Sequence, residues 1–138
     1  MTMNEELSRY VAQIEQYKEQ IQSLELQLQY IQTALADYKK AKITLEKIKK
    51  EDKNNEILVP IGGGAFLNAK AIDTSKILLD IGSGLITEKN KEDAIKKIDE
   101  RIEQLEKTQD NFSNIMKQYQ TEANQLTAKA QQIYAEQQ

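Results

Sequence analysis

Two long stretches without glycine or proline constrain most strongly how this chain can fold. Residues 2–53 and 90–138 contain neither residue, whereas residues 54–89 hold the one proline and all five glycines. Glycine and proline are the residues that interrupt helices. The sequence therefore predicts a helix over residues 2–53, two β-hairpins over 54–89 and a second helix over 90–138, within a single domain over residues 1–138.

Both outer stretches carry apolar residues at every seventh position, in two series offset by three residues. In the first stretch the series are Leu7, Ile14, Ile21, Leu28 and Leu35, and Met3, Tyr10, Tyr17, Leu24, Ile31, Tyr38 and Leu45. In the second they are Ile98, Leu105, Phe112, Tyr119, Leu126 and Ile133, and Ile95, Ile102, Gln109, Met116, Ala123 and Ala130. Such a narrow stripe needs a partner helix. A long antiparallel two-helix coiled coil within one chain satisfies both stripes.

The ends of these helices also carry sequence signals. Thr2 followed by Glu5 fits a capping box, and Asn90 is placed to cap the second helix. Lysines near the end of the first stretch, Lys47 among them, suit the negative end of its dipole.

The central stretch has the pattern of four short strands. Apolar runs at 57–61, 65–72, 76–81 and 85–88 are separated by Gly62-Gly63-Gly64, by Asp73-Thr74-Ser75 and by Gly82-Ser83-Gly84. Pro60 indicates an edge position or a bulge. Four short strands bury little area and leave open edges, so we expect strands of several chains to close into a shared β-barrel.

Several classes of function are disfavoured by composition. The chain has no Cys and no His, so thiolate and imidazole groups are unavailable for metal binding or catalysis. The glycines lack the Gly-Lys-Ser/Thr ending of a phosphate-binding loop. We therefore expect no enzyme activity, no cofactor and no metal.

The same sequence argues against two classes of partner. A net charge of −3 is unfavourable for nucleic-acid binding, and no stretch approaches the roughly 18 apolar residues that a membrane span needs. The polar, acidic N-terminus does not have the pattern of a secretory signal, so a cytoplasmic location is expected.

Antiparallel pairing would bring the two chain ends together. The apolar residues at this tip are Met3, Leu7, Tyr10, Val11, Leu126, Ile133 and Tyr134. Frayed ends would expose them for weak, promiscuous contact with other apolar surfaces. Alternatively, the seam between the helices runs to the ends. The residues alone leave both interpretations open.

The central block resembles the alpha class of the archaeal prefoldin family. Residues 57–66 read ILVPIGGGAF, and Ala69-Lys70, Asp73-Thr74, Ile81-Gly82-Ser83-Gly84, Glu88-Lys89 and Ala94 follow. This is similar to the family pattern LVPxGxGxFxxA, DT, GxG and EKxxxxA. Two hairpins rather than one match the alpha class over the beta class.

The resemblance implies a subunit of an ATP-independent holding chaperone that uses neither nucleotide nor metal. Two alpha and four beta subunits would form a double β-barrel from which coiled coils project. Their ends would hold unfolded or nascent client chains and deliver them to a group II chaperonin. A homomeric prefoldin-like filament and a structural coiled-coil scaffold remain the alternatives.

Two sets of residues follow from this interpretation. We expect client contact through Met3, Leu7, Tyr10, Val11, Leu126, Ile133 and Tyr134. We expect oligomer assembly through Ile57, Val59, Phe66, Leu67, Ile77, Leu79, Ile81 and Leu85.

Overall fold

The computed structural model describes residues 2–137 and contains two long helices and four short strands. The elements in chain order are α1 (Met3–Lys47), a short 3₁₀ turn (Lys50–Asp52), β1 (Glu56–Gly62), β2 (Ala65–Lys70), β3 (Ile77–Asp80), β4 (Ile86–Lys89) and α2 (Lys91–Glu136). β1 pairs with β2 and β3 with β4, both antiparallel, in two separate sheets. The expected mainly helical fold with two β-hairpins is confirmed. Neither described helix is long and apolar enough to cross a membrane.

Both helices begin at the side-chain caps that the sequence predicts. The backbone N–H of Glu5 donates to Thr2 Oγ1 at 3.2 Å, and the N–H of Thr2 donates to Glu5 Oε2 at 3.1 Å. At the start of α2, the N–H of Asp93 donates to Asn90 Oδ1 at 2.8 Å. These bonds satisfy backbone donors that have no partner within the helix.

The first helix ends at Lys47 and not at residue 53. Lys91, the first residue of α2, donates from Nζ to the carbonyl oxygens of Glu46 at 3.3 Å and Ile48 at 2.7 Å. The positive charge at these last carbonyls therefore comes from the other helix as well as from the local Lys47. Lys49 then begins the 3₁₀ turn, its N–H donating to Asp52 Oδ2 at 2.8 Å.

The chain divides into two compact units. The terminal unit contains the chain up to Leu35 and from Gln104 onward, and the central unit is Ala36–Glu103. In the terminal unit the rings of Tyr17 and Tyr119 are 5.4 Å apart. Gln137 Nε2 donates to Asn4 Oδ1 at 2.8 Å. Since the beginning of α1 meets the end of α2, the helices of this unit run antiparallel.

The central unit has a small core where α1, α2 and the second hairpin meet. Leu45, Ala94 and Ile98 are buried in it, and Ala94 is wholly inaccessible. Lys42 Nζ lies 2.7 Å from Asp99 Oδ1, and the later Glu46 of α1 contacts the earlier Lys91 of α2, so the helices are antiparallel in this unit too. The partly buried apolar residues packed against the core are Tyr38, Ala41, Ile77, Leu79, Ile95 and Ile102.

The first hairpin, β1–β2, has an irregular register beside its glycine turn. Val59 pairs with Leu67 and Pro60 with Phe66, after which the register shifts between Pro60 and Gly62. This shift agrees with the edge position or bulge expected at the proline. Gly64 has φ +75, a backbone conformation that glycine adopts at little cost.

Two of the strands are shorter than the apolar runs suggested, whereas β1 is longer, at Glu56–Gly62. β2 ends at Lys70 rather than residue 72, and β3 covers Ile77–Asp80 rather than 76–81. Between them Asp73 Oδ1 accepts hydrogen bonds from the N–H of Ser75 at 2.9 Å and its hydroxyl at 2.5 Å. These bonds hold the pKa of Asp73 below its usual value.

Candidate functional site

An apolar groove lies between the two helices of the terminal unit, close to the chain ends. Its volume is about 360 Å³. It exists because the large side chains of α1 face small ones, Thr127 and Ala130, on α2. The lining residues are Leu7, Val11, Ile14, Thr127, Ala130, Gln131 and Tyr134.

The residues predicted at the tip fall into two groups. Leu7, Tyr10, Leu126 and Ile133 are half-buried in the seam between the helices. Met3, Val11 and Tyr134 are exposed, the last two at 55% and 58%. The seam therefore continues to the chain ends, while apolar side chains beside it still face solvent.

Three of the predicted residues share the groove, and the others do not line it. Leu7 and Val11 come from α1 and Tyr134 from α2. The groove also includes four residues that sequence reasoning missed, namely Ile14, Thr127, Ala130 and Gln131. Of these four, only Ile14 and Ala130 carried a sequence signal, as members of the heptad series.

A second cavity in the terminal unit has a more polar lining and a volume of about 260 Å³. Gln13 on α1 is one of its lining residues. It is two residues from Val11, about 200° around the helix, and so points away from the groove. The second cavity is lined by Gln13, Gln16, Tyr17, Glu122, Gln125, Leu126 and Lys129. The terminal coil thus presents an apolar side and a polar side.

The Tyr17 hydroxyl lies beside a carboxylate in this polar cavity. Its hydrogen bond to Glu122, together with partial burial and the negative charge of Glu122, raises the pKa of Tyr17. The neutral hydroxyl is the form that the folded coil favours.

The two hairpins supply a second set of exposed apolar residues. Every residue of β1 is exposed, and Leu58 is 64% accessible. Of the predicted assembly residues, those exposed are Ile57, Val59, Phe66, Leu67, Ile81 and Leu85. Exposed apolar residues that the sequence prediction did not include are Leu58, Ile61, Ile72, Leu78 and Ile86.

Ile77 and Leu79, the other two predicted assembly residues, have a different environment. Both are half-buried and pack against the core of Leu45, Ala94 and Ile98. Their alternation with Leu78 places one face of β3 on the helices and the other toward solvent. These two residues anchor the second hairpin within the chain.

The acidic side chains suggest no metal centre. Over residues 2–137, no group of three Asp or Glu side chains is arranged to hold a metal ion.

Comparison with known proteins places this architecture in a family. The family model described as "Prefoldin subunit" matches residues 17–136. The chain belongs to the prefoldin family. The match includes α1 from residue 17 onward, both hairpins and all of α2, so it does not rest on the heptad pattern alone.

Archaeal relatives of this prefoldin chain carry the alpha designation. It is 36% identical to prefoldin subunit alpha of Methanococcus aeolicus over 105 residues, which cover 76% of this chain and 71% of the relative. It is 38% identical to that of Thermococcus onnurineus over 102 residues, covering 73% and 69%. It is 27% identical to that of Pyrococcus horikoshii over 135 residues, covering 97% and 91%.

Two solved structures have the same fold. One is the crystal structure of the prefoldin beta subunit from Thermococcus strain KS-1, with a TM-score of 0.63 at 22% identity, covering 91% of this chain and 90% of that one. The other is the cryo-EM structure of filamentous PFD from Methanocaldococcus jannaschii, with a TM-score of 0.52 at 23% identity, covering 90% and 97%.

Proposed function

We propose that this prefoldin chain is an alpha-type subunit of an ATP-independent chaperone that holds unfolded or nascent polypeptides. The observation that carries the proposal is the apolar groove beside the chain ends, flanked by the exposed Val11 and Tyr134. Non-native chains expose the apolar side chains that such a groove would shelter from water.

The chemistry of the groove suits reversible holding. It has room for only a few side chains, and its polar contributions come from uncharged groups such as Gln131 and Thr127. A single groove therefore binds weakly and with little selectivity. Several grooves on one assembly bind the same client more tightly, because later contacts form at a high effective concentration.

The exposed hairpins support assembly with other prefoldin subunits. Leu58 and Phe66 belong to an apolar surface that residues 2–137 of this chain leave open to solvent. The alpha designation of the relatives favours a complex with beta-type subunits, and the resemblance to the alpha class implies two alpha and four beta subunits. In such a complex the two hairpins of this chain become parts of shared β-barrels, with the whole chain acting as one prefoldin-type domain.

Delivery to a group II chaperonin in the cytoplasm completes the proposal. The chain ends carry an excess of acidic residues, with a charge of −2 over residues 1–20 and −1 over 119–138. Charges near a contact surface mainly affect the rate and orientation of encounter. Chaperonin contact is therefore expected at the same end of the coil as client contact.

The experiment compares aggregation of a denatured client in the presence of the assembled complex and its variants. Val11→Gln combined with Tyr134→Gln makes the groove side polar and should reduce the suppression of aggregation at least several-fold. The matched control is Gln13→Ala with Gln125→Ala on the polar side, which should leave suppression unchanged. Equal activity of both double variants, at unchanged complex mass, would exclude the groove as the client site.

Native mass of the chain, alone and with a beta-type subunit, tests the proposed assembly separately. A mixed complex with two copies of this chain supports the heteromeric arrangement. If this chain alone forms a homomeric filament and takes up no beta-type subunit, the heteromeric complex is excluded in favour of the homomeric prefoldin-like filament.

A further inference from the structure

The two hairpins differ in how far the rest of the chain covers them. In the first hairpin all of β1 is exposed, and β2 is exposed except for Ala69. In the second hairpin one face of β3 packs on the helical core through Ile77 and Leu79. Within residues 2–137, the second hairpin alone therefore has one face sheltered by its own chain.

The hydrogen bonds show the same difference. Arg101 of α2 donates from Nη2 to the carbonyl oxygen of Asp80, at the end of β3. The Arg101 guanidinium also lies 5.8 Å from the ring centre of Tyr38 on α1. One side chain thus ties the second hairpin to both helices.

Beyond the pairing of its own strands, the first hairpin is held at its base by hydrogen bonds between its two ends. The N–H of Asn54 donates to the carbonyl of Ala71 at 2.6 Å, and the N–H of Ala71 donates to the carbonyl of Asn55 at 3.1 Å. These bonds join the two ends of the hairpin to each other. The turn that links its strands contains three consecutive glycines, Gly62 to Gly64, which lose more conformational entropy on ordering than other residues.

A two-stranded hairpin with both faces in water is at best marginally stable. Covering one face against a helix changes this balance, because apolar burial then opposes the entropy of ordering. Within residues 2–137, no face of the first hairpin is buried on a helix to offset the entropy of ordering. The second hairpin has this burial through Ile77 and Leu79.

We propose that the second hairpin is stably folded in the free subunit and that the first hairpin becomes stably ordered only when other subunits cover it. The inference rests on the proposed assembly with other prefoldin subunits. The first hairpin is therefore an assembly-dependent element. The second hairpin provides the preformed docking surface.

Hydrogen–deuterium exchange of the full chain tests the proposal. The chain is diluted until native mass spectrometry detects the single subunit, and is then compared with the complex formed with a beta-type subunit. In the single subunit, amides of β1 and β2 should exchange at least tenfold faster than those of β3 and β4. Assembly should slow amide exchange in β1 and β2 at least tenfold. Equal protection of both hairpins in the single subunit would overturn the proposal.

The Arg101→Ala variant provides an internal control. It should accelerate exchange in β3 and β4 of the single subunit and leave β1 and β2 at their wild-type rates. Equal acceleration in both hairpins would show that they fold as one unit, contrary to the proposal. If no mixed complex forms, the assembly proposal fails, but the comparison of the hairpins in the single subunit still decides which of them is the more stable.

Discussion

The aromatic ring of Tyr17 on α1 packs against that of Tyr119 on α2, with centroids 5.4 Å apart and planes inclined by 44°. This tilted pair joins two residues that are far apart in sequence and that each belong to a heptad series of their helix. It places a tyrosine hydroxyl within reach of Glu122, which makes the stability of the terminal coil dependent on pH.

Tyr17→Phe should keep the ring pair and remove the hydrogen bond to Glu122. Because the folded coil raises the pKa of Tyr17 above its ordinary value of 10.0, the hydroxyl stabilises the wild type fully below about pH 10. That advantage is lost as the pH rises through the higher pKa of the folded state. Thermal unfolding should therefore show a Tm difference between wild type and variant that shrinks above about pH 10. A difference that grows with pH would contradict the assignment.

Ile98→Ala should be strongly destabilising. Ile98 is only 3% exposed in the core with Leu45 and Ala94, so truncation leaves a cavity and costs about 3 kcal/mol of unfolding free energy. The control Ile43→Ala removes an exposed side chain of α1 and should cost no more than about 0.5 kcal/mol. Denaturant unfolding measures both, and similar costs would argue against the assigned core.

Lys91→Met tests how the first helix ends. The variant keeps an unbranched side chain but loses the charge-assisted bonds to the carbonyls of Glu46 and Ile48, at a cost of about 1–2 kcal/mol. Lys96→Met, at an exposed position of the same helix, should change stability by less than about 0.5 kcal/mol. Urea midpoints that are the same for both variants would show that the bonds of Lys91 contribute nothing.

Ala130→Leu should fill part of the apolar groove that we propose as the client site. The larger side chain would occupy the space between Leu7 and Tyr134, and suppression of client aggregation should fall at least several-fold. Ala128→Leu adds the same atoms at an exposed position that does not line the groove, and its activity should stay at the wild-type level. Native mass spectrometry checks that both complexes are intact; loss of activity in both variants would point away from the groove.

Gly64→Ala should weaken the first hairpin through its backbone alone. The glycine has φ +75, and no atom lies within 4 Å of the position a Cβ would take, so the cost is about 1 kcal/mol of conformational strain. Gly64→Asn should cost less, because asparagine tolerates this region better. Tm values of the assembled complex should rank wild type above Asn and Asn above Ala. An Ala variant as stable as wild type would exclude this strain.

The period of the apolar residues was enough to predict the pairing of the helices. All members of both heptad series are buried or half-buried, except Met3 at the chain end. The caps at Thr2 and Asn90 were equally readable, because a cap depends on residues within one turn of each other. The two hairpins and the bulge after Pro60 followed from local turn residues in the same way.

The groove was less predictable, because it depends on which α1 residues face small residues on α2. Val11 and Tyr134 could be named as apolar residues near the tip, but Thr127 and Ala130 became part of the site only through the register of the two helices. Likewise, Ile77 and Leu79 look like any strand residues until the packing of β3 on Leu45 is known.

The amino-acid sequence by itself determined the helices, the hairpins and the antiparallel partnership, because periodicity, caps and turns act over a few residues or repeat along the chain. Tertiary structure alone decided that α1 stops at Lys47 beside Lys91, that Arg101 holds the end of β3, and that a groove opens beside Ala130. Each of these depends on residues more than twenty positions apart meeting in space, and no local pattern specifies which of them will meet.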